Sequence, residues 1–196
     1  MTDYQAQQAA RNVAAQALAA ANPHLIPVWA AKHSRDAACK NIRIELKRAF
    51  PGIKFSVKGD SFSGGDSIDV RWTDGPTTAQ VDAIIGRYSA GSFNGMEDIY
   101  EYSRDAWTDA FGDAKYVHSS RANSDRAIES AIRTAVAKYG IEPVTVEDFR
   151  AGRLWGRTDV GGFRDLQDLI SRTVATRTWA INKTPAPKPM VEAEAA

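Results

Sequence analysis

Catalysis needs a nucleophile, an acid–base pair or a set of metal ligands, and this chain of 196 residues offers few candidates. His24, His33 and His118 lie far apart and share no metal-ligand spacing with one another or with Cys39. Cys39 falls on the apolar stripe of a helical pattern, where a small buried hydrophobe is a better reading than a nucleophile. A single cysteine also makes no intramolecular disulfide, which suits a reducing compartment. The most patterned stretch is "SFSGGDSIDVRWTDGP", residues 61–76, which could cradle a phosphate, hold a metal or turn a hairpin. A phosphate loop needs lysine and a hydroxyl residue after its last glycine, leading into a helix. Here Gly64-Gly65 is followed by Asp66-Ser67 and a strand pattern, and the aspartate would repel phosphate. Asp60, Asp66 and Asp69 lack the alternate spacing and distal glutamate of a calcium loop. The glycines are expected to make a hairpin loop over 59–66, with Phe62 near its tip as a candidate partner contact. No catalytic residue, metal or cofactor is expected. The competing reading is an enzyme acting on nucleic acid, in which His118 exchanges a proton with an acid from 93–113.

The elements around this loop are legible from their periods. Ala38, Cys39, Ile42, Leu46, Ala49 and Phe50 recur at helical spacing until Pro51-Gly52 stops the run. The period then becomes two. Ile53, Phe55 and Val57 share one face of a strand, and Ile68, Val70 and Trp72 share one face of a second, which predicts an antiparallel hairpin. Thr77 with Gln80 forms a capping-box pattern before Val81, Ile84, Ile85 and Tyr88. A short alternating run, "KYVHSSRA", supplies a third strand, and Ser124 or Asn123 caps a helix closed by Gly140. Residues 89–113 have no clean period. The N-terminal helix is mostly alanine on its apolar face and is expected to dock loosely. The expected fold is α+β: a small antiparallel sheet on a helix–strand–strand–helix unit, helices on one face, and a helical C-terminal extension. Its parts would be an arm (1–31), a core module (32–124), a helical extension (125–183, with a helix from Phe163 to Val174) and a disordered tail (184–196).

Charge then points to surfaces. Net charge is +1, so no global field draws the chain to nucleic acid or an anionic membrane. Locally, Lys40, Arg43 and Lys47 share a helix face, while Lys54, Lys58 and Arg71 project from the wet side of the hairpin. These six are the candidate nucleic-acid contacts. Residues 93–113 are acidic and aromatic instead, and Glu97, Asp98, Tyr100 and Tyr102 are candidate partner contacts. No apolar run approaches the ~20 residues needed to span a bilayer. Exposed hairpin edges also make a homodimer conceivable.

"IRIELKRAFPGIKFSVKGDSFSGGDSIDVRWTDGPTTAQVDAIIGRY", with "GSFNGMEDIYEY" and "GDAKYVHSSRANS", resembles the large polyvalent protein-associated domain family, number 29. The resemblance covers roughly residues 38–124. Its most specific parts are Phe50-Pro51-Gly52, Ser67 with "VRWTDGPT", and Gly95-Met96. It implies a module carried by phages, plasmids and conjugative elements, in proteins that protect invading DNA from restriction and related defences. The implied function is a non-enzymatic accessory protein in the host cytoplasm that binds a host defence protein, a nucleoprotein complex, or its DNA or RNA. A structural or packaging-associated phage protein is the third reading. The resemblance carries no catalytic residues with it.

Overall fold

The computed structural model describes residues 3–158, 160 and 164–179. The expected tail at 184–196 and the expected helix start at Phe163 lie outside the described residues. Within them the chain runs α1 (Asp3–Ala21), α2 (Ser34–Ala49), β1 (Ser56–Phe62), β2 (Gly65–Thr73), α3 (Thr78–Ile85), β3 (Gly91–Asn94), β4 (Ile99–Tyr102), α4 (Ala106–Phe111), β5 (Tyr116–Ala122), α5 (Asp125–Tyr139), α6 (Val146–Arg150) and α7 (Leu166–Thr176). The class is α+β, as expected.

β1 and β2 pair antiparallel, with Val57 opposite Val70 and Gly59 opposite Ile68. The pairing continues outward until Phe62 faces Gly65, so the expected eight-residue loop is a two-residue turn at Ser63-Gly64. Gly64, at φ +113°, lets the chain reverse within that space. Gly59 and Asp60 disguised the strand, because both types are depleted in sheets. Gly59 is required by packing: a Cβ there would lie 2.9 Å from Arg35 and 3.0 Å from the Cys39 sulfur, where α2 crosses β1. Ile53 and Phe55 precede the strand yet still pack against the core.

β5 joins β2 in parallel, giving the order β1-β2-β5. The sheet is therefore mixed, not wholly antiparallel as expected. The cause is the long connection through α3, β3, β4 and α4, which returns the chain to the same end before β5 begins. The unpatterned segment 89–113 holds the hairpin β3–β4 and the short α4, whose N-cap Asp105 and Thr108 form a capping box.

Two apolar clusters result. The first joins Ile42 and Leu46 of α2, Val57, Ile68, Val70 and Trp72 of the sheet, Val81 and Ile85 of α3, and Phe111 of α4. Phe50, Phe55 and Ile84 pack at its margin, so every residue expected in this core is there. α1 is more firmly docked than its alanines suggested. Ala15 is buried in this cluster, and Arg11 pairs with Asp109 of α4 at 2.6 Å. Small residues permit close helix approach, which compensates for the little area each one buries. The second cluster gathers Ile128, Ile132, Leu154, Val160, Leu166 and Ile170 from α5, α7 and the segment between them. Arg121 of β5 ties the two together by donating to the carbonyls of Val174 and Ala175 at the end of α7, of Arg177 just after it, and of Gly75 after β2.

Candidate nucleic-acid interface

Alternation along the three strands divides their residues between two faces. Val57, Ile68 and Val70 face the helices. The opposite face carries rows set by the register: Ser56, Arg71 and Ser120; Lys58, Asp69 and His118; Asp60, Ser67 and Tyr116. All nine are exposed or half-buried and none is buried, so this face is open to solvent.

α5 flanks one end of the open face. It follows β5 directly, with Ser124 as N-cap, and Asp74 anchors that junction by accepting from the Ser124 amide at 2.9 Å. Arg126 and Arg133 are two turns apart on α5 and share a face with Ser130 between them. Together with Lys54, Ser56, Arg71, Thr73, Ser120 and Trp179 they line a cleft of about 1010 Å³. Among the described residues, four cationic side chains and one carboxylate, Asp74, border this cleft. The hydroxyls of Ser56, Ser120, Ser124 and Ser130 add groups that can donate to an anion.

The other end of the open face is aromatic. The Tyr116 ring lies 6.3 Å from Phe62, 5.6 Å from Tyr100 and 6.1 Å from His118, and Tyr100 contacts Tyr102 at 4.9 Å. Lys115 holds this group together. Its ammonium sits 5.3 and 5.4 Å from the Tyr100 and Tyr116 ring centres and donates to the Gly64 carbonyl at 2.9 Å. The Tyr100 hydroxyl donates to the Lys115 carbonyl, and burial pushes that phenol's pKa up. Phe62 stays 48% exposed and Tyr102 63%, so both offer ring surface to solvent.

The structure separates the six expected basic contacts. Lys54 and Arg71 meet in the cleft, and Lys58 stands one row away on the same open face. Lys40, Arg43 and Lys47 are exposed on α2, behind the sheet, and Arg43 donates to the Val57 carbonyl at the sheet edge. The expected partner residues divide as well. Phe62, Tyr100 and Tyr102 join the aromatic group, while Glu97 and Asp98 are exposed in the β3–β4 turn. Sequence reasoning missed Arg126, Arg133, Ser120 and Tyr116. The i, i+7 arginine pair and the alternation of Tyr116, His118 and Ser120 were the available signals.

The groups considered for catalysis are spread over the fold. His118 lies in register with Asp69 on the open face. Of the acids in 93–113, Asp105 caps α4 and Asp109 holds Arg11. Asp113 is buried between Ser34, at 2.6 Å, and Arg104, at 3.0 Å. Burial raises the Cys39 pKa, which disfavours the thiolate a nucleophile needs. Among the described residues, no group of three or more His, Cys, Asp or Glu side chains is placed to hold a metal ion. No described helix is long and apolar enough to cross a membrane.

Neither the curated proteins nor the solved structures contain a match to this chain. Residues 33–124, from the start of α2 through β5 and the turn after it, match the family model of the large polyvalent protein associated domain 29.

Proposed function

We propose that this chain is a non-enzymatic accessory protein of a phage or other mobile genetic element. It counteracts a host defence system by binding that system's nucleoprotein complex or its nucleic acid. The cationic cleft carries the proposal: Lys54, Arg71, Arg126 and Arg133 converge there, Asp74 is the one carboxylate among its described lining residues, and Asp69 pairs with Arg71 beside it, in a molecule whose net charge is only +1. Such local segregation suits phosphate contacts, which need positive charge at one place more than a basic protein overall. The polyvalent-protein module supports the mobile-element setting. A binding module needs only a shaped, charged surface, and three acids of 93–113, Asp105, Asp109 and Asp113, are engaged in capping or in ion pairs.

The test is phage plating on hosts carrying restriction or CRISPR-type systems, with and without the chain expressed. Protection against one of these systems is expected, and it should be lost with Arg71→Glu combined with Arg133→Glu. Unchanged plating across such a panel would overturn the defence role.

A further inference from the structure

Resting on that reading, we infer that the open sheet face is a platform for single-stranded nucleic acid. The backbone would enter at the cationic cleft, and bases would stack at the aromatic end on Tyr116, His118 and Phe62. Three observations converge on this occupant. The first is charge: the cleft offers Lys54, Arg71, Arg126 and Arg133 with serine hydroxyls between them, a set that suits successive phosphates. The second is the aromatic cluster on the same face, which supplies flat apolar surface that phosphate binding alone would not require. The third is spacing. Ser120 at the cleft and Tyr116 at the aromatic end are four residues apart on β5, roughly 13 Å at a strand's rise of about 3.3 Å per residue. That distance is of the order of a few nucleotides, so one short strand reaches both ends.

A duplex fits this surface poorly. Its bases are stacked on one another and cannot lie against Tyr116, whereas an unpaired strand presents a π-face at every base. Lys58, one row from the cleft, can follow the backbone between the two ends. Asp69 in that row is paired with Arg71 at 3.7 Å, and Asp60 bonds the Ser61 amide at 2.9 Å, which moderates two negative charges on the path.

The experiment is fluorescence anisotropy with the full chain and labelled oligothymidylate and oligouridylate of roughly 15 nucleotides, against a hairpin duplex of equal length. Single strands should bind at least tenfold more tightly than the duplex. Tyr116→Ala should weaken them about five- to a hundredfold, while Tyr116→Phe retains binding because the ring remains. Tyr116 also packs against Tyr100 and Lys115, so His118→Ala, at an exposed position, serves as a second variant whose folding is not at issue. It should weaken single-strand binding several-fold with an unchanged circular dichroism spectrum. Equal or tighter binding of the duplex, insensitive to both alanine variants, overturns the single-strand inference and leaves the cleft as a phosphate-binding site. Absence of binding to every probe at low salt overturns both this inference and a nucleic-acid role for the cleft. A defence role would then have to rest on protein contact, which the plating assay reads separately.

Discussion

Two residues near the first hairpin separate packing from hydrogen bonding. Trp72 is 4% exposed, lies 5.6 Å from the Phe55 ring, and its indole nitrogen donates to the Pro76 carbonyl at 3.0 Å. Trp72→Ala removes the largest apolar side chain of the sheet's inner face, and a loss of about 3–5 kcal/mol in urea unfolding is expected. A change below about 1 kcal/mol would show that the cavity collapses or that the ring is not part of the core. Asp66 has the opposite character. Its carboxylate accepts the Lys115 amide at 2.8 Å, joining the hairpin to the start of β5. Asp66→Asn keeps an accepting oxygen and should be nearly neutral in unfolding. Asp66→Ala leaves that amide without its partner and should cost about 1–3 kcal/mol. Equal effects of the two substitutions would mean that charge, not the hydrogen bond, is what matters at this position.

At the scale of elements, the helices start where short polar side chains meet free amides. Thr77, Asp105 and Thr145 each form a reciprocal cap with the residue three positions on, and Ser124 and Asp165 accept from theirs. These patterns were readable in advance for α3 and α5, because a cap depends on neighbours within four residues. One cap is testable by titration. The Thr145 hydroxyl and then Arg153 stabilise the Asp148 carboxylate, holding its pKa below the ordinary aspartate value. A lowered folded-state pKa contributes stability that is present above the ordinary value of about 3.9 and is lost as pH falls through the lower folded value. Carboxyl NMR should therefore place the Asp148 midpoint below that of an exposed aspartate, and Thr145→Val should move it upward. A midpoint unmoved by Thr145→Val would assign the shift to Arg153.

At the scale of the whole molecule, function depends on which charges the fold brings together. Lys40 and Lys47 seemed from the sequence to belong with Lys54 and Arg71, but α2 covers the inner face and turns its basic side away from the cleft. Charge reversal makes the distinction measurable. Arg71→Glu with Arg133→Glu should weaken nucleic-acid binding and flatten its dependence on salt, since each lost phosphate contact releases fewer counterions. Lys40→Glu with Lys47→Glu carries the same change in net charge and should weaken binding much less. Equal losses from the two pairs would show that overall charge, and not the cleft, drives association.

The sequence by itself determined the α+β class, which side of each hairpin strand faces inward, the caps at Thr77 and Ser124, and the part of the first core that α2, the hairpin and α3 supply. All of these follow from periods and short-range hydrogen bonds encoded within a few positions. The hairpin in 89–113 was not legible, because its strands are four residues each, too short for alternation to show. Only the tertiary structure decided the parallel direction of β5, the docking of α1 on α4, and the joining of Lys54 and Arg71 with Arg126 and Arg133. The reason is sequence separation. Arg71 and Arg133 lie far apart along the chain, and no local period relates them. Their meeting depends on a long crossover that sets β5 beside β2 and on the short turn that places the start of α5 at one end of the open face. The aromatic end has the same origin, because Phe62, Tyr100 and Tyr116 come from three different strands.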